Sequence, residues 1–441
     1  MKHTNDSRPH GWLQAWARGL ITLREAVVSF APLVLLVGLA LWGAYVWLKP
    51  NPPTTVVLAT GPEQSAYDQF GQRYALALAQ QGIQVTLRRT LGAQDNLNLL
   101  RRGEVDLGFV QGGGVAVSAE DAQQLVSLGS LFVEPVWVFY KAGEPLERLQ
   151  QLKGLRVNVG TLGSGVPYLF DALLDANRMT SSELSLSHLD ETPATIALLN
   201  DQVDAIVFVS APESLLVRML LQTPGVRLMP FAQANAYSRQ MTYLTPVALP
   251  SGVVDLSALV PAHDVPLVAT TTSLVSHVDT HPALLQLFSQ AAARIHGGAG
   301  WFNVAGAYPS AALSELPLAD EALRTMRSGT PFLQRYVPFW LANLIERMWL
   351  AMSAIVVLAL PLSRVVPPLY TLRIRSRVFR WYSELREIEA MARGGVPVSE
   401  LLVKIDALEA TVAQVQVPLS YTDELYALRQ HIGWTRSRLS A

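Results

Sequence analysis

The chain has 441 residues, 50% of them hydrophobic and 16% charged, with a formal net charge of −1. That length accommodates a two-lobed soluble domain plus membrane-spanning segments, and the near-neutral balance removes the electrostatic case for nucleic acid as a partner. The absence of cysteine excludes disulfides, thiol catalysis, cysteine metal sites and lipid attachment through an N-terminal cysteine.

In chain order, residues 1–26 carry Lys2, Arg8, Arg18 and Arg24 and are followed by an uncharged apolar run, 27–48. About 20 such residues suffice for a helix to cross a bilayer. The run is longer than a signal-peptide core, and Leu48-Lys-Pro-Asn-Pro-Pro53 is no small-residue cleavage site, so the run predicts an uncleaved anchor. After a short stiff linker at Asn51-Pro-Pro-Thr-Thr55, Val56–Thr60 reads as a buried strand ended by Gly61-Pro62. Tyr67–Gln81 reads as a helix stopped by Gly82, Val85–Thr90 as a strand, Gly92–Arg102 as a loop and short helix, and Val105–Val110 as a strand before Gln111-Gly-Gly-Gly114. This β-α-β-α-β order predicts a parallel sheet with covering helices, an α/β fold.

Leu125–Tyr140 is apolar and β-rich and carries the chain toward a second lobe. The pattern then restarts: strand Leu155–Val159, the loop Gly163-Ser-Gly165, helix Pro167–Asn177, strand Leu184–Leu189, helix Pro193–Asn200 and strand Asp204–Val209. Segments from Val226 to Ser276 read as further strands, and His281–His296 as a helix. A second apolar segment, 340–363, is followed by Arg364, Arg373, Arg375, Arg377 and Arg380. Basic residues flanking spans stay cytoplasmic. Both termini are therefore expected in the cytoplasm and the central domain in the periplasm of a bacterium, anchored in the inner membrane. In the tail, 364–441, Leu401, Ile405, Leu408, Val412 and Val415, with a second stripe at Leu425, Leu428, Ile432 and Leu439, predict packed helices broken at Gly394-Gly395 and Val417-Pro418.

The candidate site follows from the recurrence of one loop-before-helix feature in both units: Thr60, Gly61, Ser65 and Tyr67 in the first, Gly163, Ser164 and Gly165 in the second. Ligands in open α/β sheets bind beyond the carboxyl ends of the strands, where helix N-termini offer free amide donors and partial positive charge. Asn96, Gln111 and Ser210 lie at helix starts or strand ends of the same sheets, where polar side chains orient a ligand. Two such faces across a cleft suit a small anionic or zwitterionic solute, a carboxylate or an amino acid. Enzyme signatures are missing: Ser164 lacks the spacing of a nucleophile elbow, Gly112–Gly114 is neither a dinucleotide loop nor a P-loop, and His277 and His281 frame no zinc motif. No catalytic residue, metal ligand or cofactor is expected.

Four blocks carry a family resemblance. Val57-Leu-Ala-Thr-Gly61 with Tyr67 and Gly71, the long block Gly92–Gln111, Gly154–Gly160 with Gly163-Ser-Gly165, and Leu199–Ser210 resemble the TAXI family, solute-binding proteins of tripartite (TRAP) transporters. The likeness spans about Val56–Gly300; Ser65, Ala66 and Asp68 stand where that family usually has more glycine and a second aromatic. The resemblance implies a two-lobed periplasmic-binding-protein-like domain (type II) over 54–338, with lobe 1 at about 54–140 and 265–330 and lobe 2 at about 141–264. It implies capture of a small organic acid or amino acid and TRAP-type membrane subunits as partners. The second span and the tail leave a transmembrane sensor as the alternative.

Overall fold

The computed structural model describes residues 31, 33–49, 51–141, 143–414 and 422–440. The chain divides into two compact units, one of residues 51–343 and one combining 1–50 with 344–441. The second of these contributes an apolar helix first, α1 (Leu33–Leu48).

The 51–343 unit starts β1 (Thr55–Ala59), α2 (Ala66–Ala79), β2 (Gln84–Arg88), α3 (Ala93–Arg101) and β3 (Leu107–Gln111), followed by the short α4 (Asp121–Gln124) and the long β4 (Leu125–Tyr140). It continues with β5 (Arg156–Asn158), α5 (Val166–Ala176), β6 (Ser185–Ser187), α6 (Glu191–Leu199), β7 (Ala205–Val209), α7 (Leu215–Gln222), β8 (Arg227–Leu228), α8 (Ala234–Gln240), β9 (Thr245–Leu249), β10 (Val265–His277), α9 (Pro282–His296) and α10 (Asp320–Ser328). β3 and β7 are buried along their whole length, as continuous apolar runs must be when helices cover both faces of a parallel sheet.

Two parallel triplets share one plan. β1 pairs with β2 and β3, and β5 pairs with β6 and β7, all parallel. They are sewn together by the antiparallel pair β4 and β10, giving the order β2-β1-β3-β10-β4-β7-β5-β6. Leu125–Pro135 of β4 lies against β10, whereas Val136–Tyr140 lies against β7. β10 likewise meets β9 over Val265–Ala269 and β3 over Thr272–Ser276. The cores separate accordingly. One cluster is drawn from residues between Val136 and Val268, centred on Trp137, Phe139 and Phe170. The others are built from β1–β3, the first half of β4 and α9, with Tyr74, Phe109 and Phe288 fully buried. The unit is thus two-lobed, and only the crossing strands run unbroken through both sheets.

The expected run of strands over Val226–Ser276 holds for β8, β9 and β10, but α8 interrupts it, and α7 precedes it unpredicted. Both helices are short and bury only two residues each, too few to impose a 3.6-residue period on the sequence.

The chain continues with one helix, α11 (Phe339–Arg393), which belongs to the other unit from residue 344 onward, then α12 (Val398–Ala413) and α13 (Thr422–Ser440). Phe339–Val365 is long and apolar enough to cross a membrane, with mean hydropathy 1.8 and little of it buried. α1 is a shorter apolar helix; the rest of the expected first span, 27–30 and 32, lies outside the described residues, as does Val415. Leu385 and Ile388 of α11 pack with Leu401, Ile405, Leu408 and Val412 of α12 and Leu425, Leu428 and Ile432 of α13. The predicted stripes therefore bury each other, joined by the end of α11.

Candidate functional site

Four helices begin at the gap between the lobes: α2 and α3 from the first, α5 and α6 from the second. The cavity there is lined by Ser65, Ala66 and Tyr67, by Gly92 and Ala93, by Gly165 and Val166, and by Asp190 and Glu191, each group at one helix start. Its volume is about 60 Å3, several times the space one water needs. Two of the helix starts are already served by side chains: Ser65 accepts from the Asp68 N–H at 3.3 Å and Asp190 from the Glu191 N–H at 2.9 Å. Those of α3 and α5, at Gly92 and Gly165, have no bond from the capping residue itself. The Val166 N–H donates to Ser164 Oγ at 3.4 Å, Pro167 has no N–H and the Asp95 N–H donates to the Gly163 carbonyl, so what they bring to the gap is chiefly the positive end of the helix dipole. Gly92 adopts φ +132, a conformation that only glycine takes readily.

Of the ten predicted site residues, six line the cavity: Ser65, Tyr67, Gln111, Ser164, Gly165 and Ser210. Tyr67 is buried and stacked on Phe109 with ring centroids 5.2 Å apart. Ser164 donates to the Thr161 carbonyl at 2.7 Å, and the Ser210 carbonyl accepts from Trp137 Nε1 at 2.9 Å. Thr60, Gly61, Asn96 and Gly163 are not among the lining residues. Asn96 is a scaffold tie: its amide donates to the Thr60 and Phe109 carbonyls at 2.7 and 2.9 Å and accepts from Thr90 Oγ1 at 2.7 Å. It thereby clamps the ends of β1 and β3. Gly163 acts in closure, described below.

The sequence reading missed Glu134, Asp190 and Glu191, which also line the cavity. Glu134 sits on β4 opposite Thr270, one residue before β4 ends its pairing with β10 and turns to β7. It is 1% exposed. Its Oε2 accepts from Tyr67 Oη at 3.1 Å and from Thr272 Oγ1. Burial pushes its carboxyl up to about 8, against the two hydroxyls, with Glu191 and Glu213 adding repulsion. Glu191 is pushed up to about 7, by burial first and then by Asp190. A signal for Glu134 was present: it is the one charged residue in the apolar run 125–140, and a buried acid without a cation must have a purpose or a cost.

The lobes touch around this cavity. The Asp95 N–H donates to the Gly163 carbonyl at 3.2 Å. A methyl carbon on Gly165 would lie 2.7 Å from Gln111 Oε1 and 3.2 Å from the Gly114 Cα, and one on Gly163 would lie 2.5 Å from Leu91 Cβ. Gln111 is 2% exposed, and its Nε2 makes no hydrogen bond.

Residues 58–288, just over half of the chain, match a family model described as the NMT1-like family. The chain belongs to the NMT1-like family. Solved structures that this NMT1-like protein resembles include a protein of Bordetella bronchiseptica RB50, at 15% identity over 67% of this chain and 82% of that one, TM-score 0.41. The periplasmic aliphatic sulphonate binding protein SsuA from Escherichia coli matches at 16% identity over 55% and 69%, TM-score 0.36. The GluR0 ligand-binding core from Nostoc punctiforme, in complex with L-glutamate, matches at 13% identity over 55% and 92%, TM-score 0.36.

Proposed function

We propose that this NMT1-like protein is a membrane-anchored solute-binding protein whose lobes close on a small solute outside the cytoplasmic membrane. The observation that carries the reading is the partly open cavity at the lobe junction, lined from both lobes by polar side chains and helix starts and bridged by two continuous strands. Lobes joined only by such strands can part and close around a ligand. The apolar helices α1 and Phe339–Val365 of α11 supply the anchor, and the basic residues outside them put both chain ends in the cytoplasm. The TAXI-like blocks support TRAP-type membrane subunits as recipients of the solute. The ten predicted residues together with Glu134, Asp190 and Glu191 form or support the binding site.

The full-length chain in detergent micelles tests this by thermal shift against amino acids, carboxylates, sulfonates and sugars. A ligand at a hundredfold excess over its dissociation constant stabilises by about 2.7 kcal/mol. A chain that melts cooperatively and shifts with no compound in the panel would reject the reading. One observation favours the second reading, a sensor: α11 runs unbroken from Phe339 to Arg393, and its end is part of the tail core. A tail that captures a cytoplasmic partner only when the solute is present would support that alternative.

A further inference from the structure

The geometry points to a solute that carries a positively charged amino group, seated on the Glu134 carboxylate at the junction of the lobes. The inference rests on the solute-binding reading and narrows it. Among the described residues that line the cavity there is no Lys, Arg or His, while three are acids: Glu134, Asp190 and Glu191. A dicarboxylate or sulfonate placed there finds no counter-ion and opposes ionisation of these acids. An ammonium favours it, so Glu134, which burial keeps protonated in the empty site, gives up its proton as the solute seats.

Glu134 is built to hold it. Both donors from the protein, Tyr67 and Thr272, go to Oε2, and no hydrogen bond reaches Oε1 from any described residue. The two hydroxyls fix the carboxylate plane on the crossing strands β4 and β10, so the free oxygen is held by the part of the fold that moves least when the lobes part. A second, independent observation concerns the other end of the solute. Gln111 Nε2 is a buried donor without an acceptor, and the positive ends of the α3 and α5 dipoles, at Gly92 and Gly165, flank it in the same cavity. A buried donor left unpaired is costly, and this one asks for an acceptor such as a carboxylate. The cavity therefore offers a cation seat and an acceptor seat, the pattern of a zwitterion. The titratable groups that face Glu134 are Tyr67 on α2, Asp190 and Glu191 at the start of α6, and Glu213 after β7; none of them supplies a positive charge.

Matched compounds test the inference on the full-length chain in detergent at pH 7, by calorimetry: L-glutamate with glutarate and 4-aminobutyrate, L-leucine with 4-methylpentanoate and isopentylamine, and sulfonates and sugars as outsiders. The expected result is binding of an amino-bearing compound about a hundredfold or more tighter than its deaminated partner, since a site built to bond a group rejects the analogue without it. Glu134→Gln, checked for an intact melting transition, should weaken that compound about tenfold or more. Should Glu134→Gln fail to fold, Glu191→Gln and the matched compounds on the wild-type chain decide. Equal binding of the deaminated partner, or a carboxylate, sulfonate or sugar as the binder, overturns the inference and leaves the solute-binding reading standing. So does unimpaired binding by a folded Glu134→Gln, which would show a carboxylic acid acting as a neutral donor. No binding by any compound overturns both.

Discussion

The Asp95 N–H and the Gly163 carbonyl meet across the cleft at 3.2 Å, a backbone hydrogen bond between the first turn of α3 in one lobe and the loop before α5 in the other. It forms only because no side chain stands between the two loops. Around it, Gly92 faces Ser164, Gly163 faces Leu91, and Gly165 faces Gly114 and Gln111. The glycines that looked like a ligand loop are also the contact surface on which the lobes close.

Gly165→Val should therefore hold the lobes apart without unfolding either. Gly165 has φ −79 and ψ −11, open to any residue, and the nearest atoms that its Cβ would meet belong to Gln111 and Gly114 of the other lobe. The chain has no cysteine, so spin labels attach only at the introduced Glu63→Cys and Leu162→Cys, both well exposed. Electron–electron resonance should show a longer mean distance in the valine variant, with ligand affinity reduced at least about tenfold. An unchanged distance distribution would mean that the lobe contacts tolerate a side chain and that closure does not depend on these glycines.

Gln111→Met separates ligand binding from stability. The wild-type Nε2 is buried without a partner, a state that costs about 1–3 kcal/mol, so an apolar side chain of similar length should leave the melting temperature unchanged or raise it. The same change removes the donor offered to the solute and should weaken binding about tenfold. Lower stability with unchanged affinity is the contrary result, and it would make Gln111 a packing residue between Gly114 and Gly165.

The sequence carried most of the two α/β units because their strands are short apolar runs punctuated by glycine and proline. Val56–Thr60, Val105–Val110 and Asp204–Val209 each fall within a residue or two of a strand in the structure. Leu125–Tyr140 was visible as β-rich and is one strand over that whole range. What the run did not reveal is that its two halves pair with different neighbours, because partner choice is set by the approach of β10 and β7, distant in sequence. The β4–β10 register, with Glu134 opposite Thr270, is what brings Glu134 beside Thr272. Asn96 shows the converse: an amide at the predicted place whose bonds are spent on the Thr60 and Phe109 carbonyls and the Thr90 hydroxyl rather than on the cavity. The apolar stripes of α12 and α13 were plain at heptad-like spacing, whereas Leu385 and Ile388 of α11 were masked by the charged residues around them.

Glu134 also gives the unliganded protein a pH signature. Its folded value of about 8 lies above the ordinary carboxylate range, so the folded chain holds a proton that the unfolded chain releases above about 4.5. Stability from this group is whole below about pH 4.5 and is lost as pH rises toward 8, at about 1.4 kcal/mol per pH unit. Glu191, raised to about 7 by burial and by Asp190, adds in the same direction. The difference in unfolding free energy between wild type and Glu134→Gln should grow in favour of the variant from pH 5 to pH 8. A pH-independent difference would place the carboxylate in contact with water.

His296 opposes it from the acid side. The ring is buried against Phe70 and Phe132, with centroids 4.6 and 5.2 Å away, and its Nε2 has no partner. Burial first, then the Arg73 charge, holds its value down at about 3. A histidine kept neutral in the fold contributes stability that is present above its unfolded value of about 6.5 and lost as pH falls toward 3. Between about pH 4.5 and 6.5 His296 offsets only one of the two raised carboxylates, Glu134 and Glu191, so wild-type stability should fall gently as pH rises there. Glu134→Gln leaves Glu191 against His296 and should be nearly flat over that interval, whereas His296→Phe leaves both acids and should gain stability more steeply than wild type as pH falls from about 6.5 to 4.5. Phenylalanine fills the aromatic cluster and removes the unpaired nitrogen, so His296→Phe should fold at least as stably as wild type at pH 7. Parallel melting profiles for all three chains between pH 4.5 and 6.5 would show that neither group is shielded from solvent in the folded protein.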